Sequence, residues 1–169
     1  MITLTSSRLV LRELALTDSP FIFELLNDPQ WLKHIGDRSV NNIQGAEVYI
    51  QQGPQKMYRK MGMGLLLVES KISQQPMGLC GLLKRDELPH PDLGFAFLPE
   101  YRGQGLVFEA AKLVLADAFK RELSQKILAI TSIDNHKSIQ LLEKLGFNFK
   151  GFTRLENNSD ETKLFELLV

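Results

Sequence analysis

The sequence predicts one α/β domain over residues 1–169, in which about seven strands form a mixed sheet and about four helices pack on it. Stretches typical of strands are interspersed with stretches whose apolar residues recur at helical spacing. The predicted order is β-α-α-β-β-β-α-β-α-β-β, with a strand–loop–helix–strand unit in its second half. A chain of 169 residues is also long enough to bury one apolar core.

The first third of the chain contains one predicted strand and two helical regions. Residues 8–14 (RLVLREL) alternate apolar and polar side chains and predict a strand. Asp18 is expected to cap a short helix through FIFELL, and residues 30–42 are expected to form a loop. A second helical region covers about 43–60 and is expected to break or kink at Gly53-Pro54.

Three strands and a long helix are predicted in the middle of the chain. Residues 64–70 and 77–85 are apolar runs with a short polar connection, which predicts an antiparallel hairpin. Residues 92–98 form the next strand, which ends at Pro99. Apolar side chains then recur at helical spacing over 106–121 and predict a helix.

The last third of the chain alternates strands with one more helix. The β-branched run over 126–133 predicts a buried strand. Asp134 or Asn135 is expected to cap the helix that follows, and Gly146 to end it. Two strands close the chain, with residues 156–161 as the turn between them.

Composition and charge exclude several classes of protein. Lys plus Arg and Asp plus Glu both number 20, and a net charge of zero argues against a dedicated nucleic-acid-binding protein. The histidines are scattered and the single cysteine, Cys80, lies in an apolar run, so we expect no metal site and a buried structural thiol. Charges come too early for a signal peptide, and no apolar run approaches the ~20 residues that span a membrane, so we expect a cytoplasmic protein.

A loop with two glycines is the first candidate site. The segment Arg102-Gly103-Gln104-Gly105 joins the strand over 92–98 to the helix over 106–121. Helix N-termini carry unpaired N–H groups and a partial positive charge, and glycine lets an anion such as a phosphate approach the backbone closely. The alternative is an ordinary strand-to-helix turn, since the loop lacks the Lys-Ser/Thr of a nucleotide P-loop.

A second candidate element follows the next strand. Asn135 and Ser138 stand three residues apart at the start of a predicted helix, so both side chains can face the same side. On their own they also fit an ordinary N-terminal cap followed by a helix-start serine, which is a common arrangement.

Together, PEYRGQGLVFEA (99–110) and DNHKSIQLLEKLGF (134–147) resemble the GNAT superfamily of acetyl-CoA-dependent N-acetyltransferases. The phosphate loop of that family has the form Q/R-x-x-G-x-G/A, which residues 102–107 match except that Val107 stands where a small residue is usual. The opening TSSRLVLREL and the N-x-x-S…L-E-K-L-G-F run are similar to the Rim-type group, named for ribosomal-protein N-terminal modification. The resemblance covers essentially the whole chain.

The resemblance implies a mostly antiparallel sheet whose central parallel strands, 92–98 and 126–132, splay apart around the pantetheine arm of acetyl-CoA. The glycine loop would then bind the pyrophosphate of coenzyme A, Asn135 would bond the pantetheine arm, and no metal would be needed. The cofactor-binding residues that the resemblance implies are Phe97, Leu98, Arg102, Gly103, Gln104, Gly105, Leu106, Val107, Asn135 and Ser138.

The activity that the resemblance implies is transfer of an acetyl group to a primary amine, either a protein N-terminal amine or a small-molecule amine. Many family members protonate the leaving thiolate with a Tyr at the position that Leu142 holds here, so Ser138 becomes the candidate acid. Asp92 matches a frequent family carboxylate and is the candidate base, although a solvated aspartate at a strand start fits equally well. Loss of the proton to bulk water is a third possibility.

Trp31 and Asp37 lie in the region where the family builds its acceptor site. Asp37 would attract a cationic amine and Trp31 would form an apolar wall. The alternative, an Asp37–Arg38 pair that fixes a loop, is favoured because most such pairs are structural or solvated. The expected partners are acetyl-CoA and an amine acceptor, without nucleic acid or membrane, for a monomer or homodimer.

Two other functions compete with that of an enzyme. A non-catalytic acyl-CoA-binding module would fit Leu142 in place of Tyr and Val107 in the loop. A nucleotide-binding P-loop protein is disfavoured by the missing Lys-Ser/Thr. Release of CoA in the presence of amines separates the enzyme from the binding module.

Overall fold

Eight strands and six α-helices make up most of the computed structural model, which describes residues 1–155 and 160–168. The strands are β1 (Thr3–Thr5), β2 (Leu9–Arg12), β3 (Leu65–Ser70), β4 (Pro76–Leu83), β5 (Asp92–Phe97), β6 (Lys126–Ser132), β7 (Asn148–Thr153) and β8 (Thr162–Leu168). The helices are α1 (Ser19–Leu26), α2 (Pro29–His34), α3 (Ile43–Ile50), α4 (Lys56–Met61), α5 (Leu106–Lys120) and α6 (His136–Lys144). Over these described ranges, no helix combines the length and apolar character that membrane crossing needs.

All eight strands form one sheet in the order β1-β2-β3-β4-β5-β6-β8-β7. Neighbouring strands are antiparallel except β5 and β6, which are parallel. The predicted mixed, mostly antiparallel sheet is therefore confirmed, and so is the hairpin of β3 and β4, in which Leu67 pairs with Leu79. The edge strand β1 was not predicted, because three residues are too few to show a strand pattern.

Helices cover both faces of the sheet centre, so the described part of the chain has two apolar cores. The α5-side core lies between the sheet and α5 and contains Leu66 and Val68 of β3. The α1-side core lies on the other face, under α1 and α3, and contains Leu65 and Leu67. This double burial explains why β3 is an unbroken apolar run rather than an alternating one. Cys80 lies fully buried in the α5-side core, where desolvation raises the pKa of its thiol, so the predicted structural thiol is confirmed.

The short helix α2 occupies part of the segment for which the sequence predicts a loop. It begins after Asp28, whose Oδ2 accepts hydrogen bonds from the backbone N–H groups of Gln30 at 3.1 Å and Trp31 at 3.3 Å. Pro29 at the first helical position has no N–H to leave unsatisfied. The loop prediction is wrong here because six residues are too few to display helical periodicity.

Asp18 precedes α1 as predicted, but its side chain does not cap that helix. Its carboxylate accepts two hydrogen bonds from the Arg12 guanidinium, both of 2.9 Å, and one from the Ala15 N–H at 2.8 Å. The aspartate therefore fixes the corner between β2 and α1 through an ion pair. A proline within the first two positions, Pro20, marks the start of α1 instead.

The remaining helix and strand predictions agree with the structure. The break at Gly53-Pro54 is confirmed as a π-helical turn between α3 and α4. Gly146 ends α6 with a φ of +95°, and the Phe147 N–H donates to the Leu142 carbonyl at 3.0 Å, as in a Schellman motif. The two closing strands are confirmed as β7 and β8, whereas most of the turn predicted over 156–161 lies outside the described residues.

Candidate active site

The parallel strands β5 and β6 pair at one register position and then separate. Asp92 lies opposite Leu128, and the Leu128 N–H donates to the Pro91 carbonyl at 2.8 Å. In the described part of the chain no further residues of the two strands pair, so the gap between them opens toward their C-terminal ends. This gap is called the β5–β6 cleft below. The splay that the resemblance implies is thus present.

The backbone of β5 directs hydrogen-bonding groups into the cleft. The Leu98 N–H, just after β5, donates to the Met77 carbonyl on β4 at 2.9 Å. Because successive residues of an extended strand direct their backbone groups to opposite sides, those of Phe95 and Phe97 face the cleft. Of the two residues at the end of this strand that the resemblance implies bind the cofactor, Phe97 faces the cleft, whereas the Leu98 N–H is used within the sheet.

The glycine loop runs from β5 into α5 in a conformation that requires glycine. Gly103 and Gly105 have φ angles of +71° and +77°, in the left-handed region. Gly105 is the N-cap residue of α5 and offers no side chain to the first N–H groups of the helix, which begins at Leu106. A Cβ atom built on Gly103 would meet no atom within 4 Å. The loop therefore presents an uncapped helix N-terminus, an arrangement that suits a phosphate.

Arg102, one of the cofactor-binding residues that the resemblance implies, does not offer a free positive charge beside the loop. Its Nη2 forms an ion pair with Asp28 Oδ2 at 2.7 Å, and its Nε donates to the Phe97 carbonyl at 2.9 Å. Asp28 is nearly fully buried and also caps α2. The guanidinium thus ties the glycine loop and the end of β5 to the start of α2.

Arg8 supplies a cation beside the loop that the sequence analysis missed. Its Nη1 donates to the Gln104 carbonyl at 3.1 Å, and its Nη2 would lie 3.6 Å from a Cβ atom on Gly105. Glu109 on α5 holds the guanidinium through Nη2 and Oε2 at 2.6 Å. Desolvation raises the pKa of Glu109, but hydrogen bonds from Ser6 and Arg8 outweigh that effect and lower it.

The start of α6 lies next to the end of β6 and carries the two polar residues that the sequence singled out. Asn135 Oδ1 accepts a hydrogen bond from the Ser138 N–H at 3.3 Å, so Asn135 rather than Asp134 is the capping residue. The Ser138 hydroxyl is partly buried and has no hydrogen-bond partner among the described residues. Leu142 is fully buried in the α5-side core.

Asp92 lies at the closed end of the cleft, where the carboxylate is 1% exposed. Arg85 Nε donates to both of its oxygens, at 3.1 and 3.2 Å. Burial raises the pKa of the Asp92 carboxyl, and the charge of Arg85 offsets part of that rise. This environment differs from the solvated aspartate considered above and favours a structural ion pair. The catalytic role of Asp92 stays a prediction.

The two residues predicted to contact the acceptor lie on or just after α2. Trp31 is 4% exposed, packs in the α1-side core and has no hydrogen-bond partner for its Nε1. Asp37 is exposed, and its Oδ1 accepts a hydrogen bond from the Ser39 N–H at 2.7 Å. Asp37 therefore helps to fix its loop, but through Ser39 rather than through the predicted pair with Arg38.

His34, the last residue of α2, was not singled out by the sequence. Its Nδ1 lies 2.7 Å from Ser132 Oγ at the end of β6 and 3.8 Å from Asp134 Oδ1. Because Asp28 ties the other end of α2 to Arg102, the helix connects the C-terminal ends of β5 and β6. A lone histidine in a polar segment carries no local signal for such a contact.

A pocket of about 370 Å³ opens on the other flank of β5, away from β6. Residues of α1, of the start of β4 and of the turn after β5 line it, among them Phe21, Glu24, Pro76 and Tyr101. The glycine loop and the start of α6 do not line it, so it is separate from the β5–β6 cleft.

A sequence model of the family described as "Acetyltransferase (GNAT) domain" matches residues 8–148, and the chain belongs to this family. The matched range begins at Arg8, beside the glycine loop, and includes both strands of the cleft and all of α5 and α6. The chain is therefore an acyltransferase that uses acetyl-CoA, as the sequence analysis predicts.

Two relatives show how far the sequence similarity extends. The uncharacterized N-acetyltransferase YoaA of Bacillus subtilis (strain 168) is 25% identical over 153 residues, which cover 89% of this chain and 85% of that protein. The spermidine N(1)-acetyltransferase of Escherichia coli (strain K12) is 33% identical over 75 residues, which cover 42% of this chain and 40% of that protein.

Solved structures share the fold over nearly the whole chain. The acetyltransferase from Agrobacterium tumefaciens str. C58 has a TM-score of 0.85 and 20% identity, covering 100% of this chain and 95% of that one. RimL, a ribosomal L7/L12 alpha-N-protein acetyltransferase, has a TM-score of 0.83 and 13% identity, with coverages of 99% and 94%. MccE, a microcin C7 self-immunity acetyltransferase solved with acetyl-CoA and AMP, has a TM-score of 0.82 and 17% identity, with coverages of 97% and 94%. The resemblance to the Rim-type group is thus confirmed at the level of the fold.

The glycine loop generates a prediction about cofactor affinity. Gly105→Glu is expected to weaken CoA binding at least ~100-fold, because the carboxylate would compete with the pyrophosphate for the helix N-terminus and for Arg8. Gly105→Ala is the matched control, since it carries the same backbone strain at positive φ without the charge. Isothermal titration calorimetry and thermal melts measure both variants. Equal CoA affinity in the two variants would show that the loop does not hold the anion.

Proposed function

We propose that this protein transfers the acetyl group of acetyl-CoA to a primary amine, either the N-terminal amine of a protein or the amine of a small molecule. The observation that carries the proposal is the β5–β6 cleft, whose open end meets an uncapped helix N-terminus behind two left-handed glycines. A slot lined by strand backbone suits an extended amide-containing arm, and the helix N-terminus suits a phosphate. These are the two features of the pantetheine–pyrophosphate unit of coenzyme A.

In the proposed complex the pyrophosphate lies against the backbone N–H groups of residues 103–107. Arg8 is the cation best placed to accompany it: both Arg8 and Arg102 are paired with a carboxylate, but the Arg8 side chain is half exposed and its Nη2 is close to Gly105. Pantetheine runs along the cleft beside Phe97. Asn135 keeps its side-chain NH₂ available for the pantetheine carbonyls, since only its Oδ1 is used in the cap.

The chemistry proposed in the cleft is direct acetyl transfer. The neutral amine nitrogen attacks the thioester carbonyl, a C–N bond forms, and the C–S bond breaks. Backbone N–H groups that β5 directs into the cleft are positioned to stabilise the oxyanion. Ser138 is the proposed proton donor to the leaving thiolate, because its hydroxyl is unpartnered among the described residues and Leu142 is buried without a polar group. The nitrogen loses a proton to solvent as the amide forms, and solvent returns a proton to Ser138.

Two classes of acceptor are carried in the proposal because the relatives act on both. RimL is named for the alpha-amine of ribosomal L7/L12, and the Escherichia coli relative for spermidine. The exposed carboxylate of Asp37, on the loop after α2, supports attraction of a cationic amine of either class. Trp31, at 4% exposure, offers little surface for the apolar wall first assigned to it.

The second candidate function is a non-catalytic acyl-CoA-binding module. The observation that favours it is Leu142. Many family members carry a tyrosine at this position, whereas here it is a leucine buried in the core. Such a module would bind CoA as tightly as an enzyme does, so binding alone does not separate the two functions.

The test of the proposed function is CoA release with a panel of amines. Peptides beginning with Ala or Ser, spermidine and an amino sugar are each incubated with acetyl-CoA, and the free thiol is titrated. We expect one acceptor class to raise CoA release well above hydrolysis, because only a true acceptor places its nitrogen at the thioester. An Nα-acetylated copy of each peptide is the matched control. Tight acetyl-CoA binding without release for any amine would favour the binding module.

Replacing the proposed acid tests the mechanism. Ser138→Ala is expected to lower kcat ~10²-fold or more without a comparable rise in KM for acetyl-CoA, the range typical of general acid catalysis. The fold should be little affected, because Asn135 caps the Ser138 backbone N–H, which the variant retains. Steady-state kinetics with an identified acceptor and thermal melts measure the two effects. A kcat within about threefold of wild type would remove Ser138 from the role.

A further inference from the structure

Acetyl transfer needs a base that removes a proton from the acceptor ammonium, and α2 carries a group suited to that task. We propose that His34, oriented through its Nδ1 by Ser132 and Asp134, is the general base of the reaction. This inference rests on the proposed function, since it assumes that an amine is acetylated in the β5–β6 cleft. His34 then takes the role of base, for which the sequence suggested Asp92 or water.

The position of His34 follows from how α2 is tied down. At its start, Asp28 is bound at 2.7 Å to Arg102, which also donates to the Phe97 carbonyl at the end of β5. At its end, His34 lies 2.7 Å from Ser132, the last residue of β6. The helix therefore bridges the two strands where they are apart, and the imidazole lies at the open end of the cleft.

α2 and α5 approach the cleft from opposite faces of the sheet. Trp31 of α2 packs in the α1-side core, whereas α5, which follows the glycine loop, packs in the α5-side core. An acceptor that enters on the α2 face of the sheet therefore reaches the thioester from the face opposite to the one on which the cofactor is bound. The two ligands then do not compete for the same path. His34 is on the acceptor's side of that arrangement.

The surroundings of Nδ1 decide which ring nitrogen can take a proton. Ser132 Oγ is 2.7 Å from Nδ1 and Asp134 Oδ1 is 3.8 Å from it. The Ser132 hydroxyl can accept a hydrogen bond from Nδ1–H, and the negative charge of Asp134, which is too far away for a hydrogen bond, lies on the same side of the ring; the proposal assigns the proton to Nδ1. The lone pair is then on Nε2, which has no hydrogen-bond partner among the described residues.

Two charged groups lie beside His34. They are Asp134, on the turn after β6, and Lys33, whose Nζ lies 3.5 Å from the Asp134 carboxylate. Desolvation raises the pKa of the Asp134 carboxyl. The charge of Lys33, a hydrogen bond from the Asp134 backbone N–H and the charge of His34 outweigh that effect and lower the pKa. Asp134 is therefore anionic at neutral pH and places a carboxylate on the Nδ1 side of the ring, where Lys33 offsets part of its charge.

The proposed step balances without any further reactant. One N–H bond of the acceptor ammonium breaks, and its proton moves to Nε2 of His34. The neutral amine attacks the thioester carbonyl and a C–N bond forms. The C–S bond then breaks, and the thiolate takes a proton from Ser138 or from water. The nitrogen loses its second proton as the amide forms, and that proton returns to Ser138 or passes to water. The imidazolium then returns its proton to solvent, and the products are CoA and the N-acetylated amine.

Asp92 is less suited to this step than His34. Its carboxylate is 1% exposed, and Arg85 occupies both oxygens. A base must come within hydrogen-bond reach of the ammonium proton that it removes. The His34 side chain, at 13% exposure and with Nε2 unpartnered among the described residues, meets that requirement better.

His34→Gln tests the proposal, because glutamine can still bond Ser132 but cannot accept a proton at neutral pH. We expect kcat with an identified acceptor to fall ~10²-fold or more, and the acidic limb of the pH–kcat profile to disappear. Affinity for CoA, measured by calorimetry, should be unchanged. His90→Gln is the matched control, since His90 makes the same contact to Ser124, at 3.3 Å, near the opposite ends of β5 and β6.

The outcomes separate this inference from the function on which it rests. A wild type that releases no CoA with any amine contradicts the proposed function itself. An active wild type whose His34→Gln variant keeps both its rate and its acidic limb contradicts the base assignment alone. Should His34→Gln fail to fold, Asp134→Asn takes its place: we expect a lowered kcat and a displaced acidic limb, and an unchanged profile would overturn the assignment.

Discussion

The single parallel pairing of β5 and β6 is the constraint on which the rest of the site depends. The Leu128 N–H donates to the Pro91 carbonyl and holds the strands together where Asp92 lies opposite Leu128, and nothing in the described chain pairs the strands beyond that point. Unpaired strand backbone needs a hydrogen-bonding partner or water, so an opening of this kind within an otherwise continuous sheet has an energetic cost. A ligand that runs between the strands would satisfy those groups. The buried Asp92–Arg85 ion pair stands at the end where the opening begins.

The second constraint is the attachment of α2 to both sides of that opening. Arg102 is used for this attachment rather than for a ligand, and the charge beside the glycine loop comes from Arg8 instead. One ion pair thus couples the loop assigned to the cofactor with the helix assigned to the acceptor. Because Asp28 is nearly buried, removing Arg102 would leave a carboxylate with little access to water.

The sequence pattern was sufficient to predict elements that have a long periodic run or a specific residue, such as proline or glycine, at their ends. The helix after the glycine loop, the hairpin of β3 and β4, the break at Pro54 and the end of α6 at Gly146 all agree with the structure. The three-residue strand β1 and the six-residue helix α2 are too short for periodicity to register. Short elements are fixed by caps and tertiary contacts rather than by their own pattern.

The candidate site was predicted only as far as its residues are neighbours in sequence. The glycine loop and the Asn135–Ser138 pair are local motifs and could be found. The contacts that assemble the site join residues that are far apart in the sequence. Arg8 and Glu109 are separated by 101 residues, Asp28 and Arg102 by 74, and His34 and Ser132 by 98. Nothing in one sequence reports such pairs, which exist only once the sheet has formed.

Hydrogen–deuterium exchange with and without CoA tests most directly the central claim that the β5–β6 cleft holds the cofactor. The account predicts slower exchange at Phe95 and Phe97 and over residues 103–107 when CoA is bound, because those backbone groups gain partners. Exchange around Phe21 and Pro76, which line the separate 370 Å³ pocket, should not change. Protection at that pocket, with none in the cleft or the glycine loop, would contradict the account.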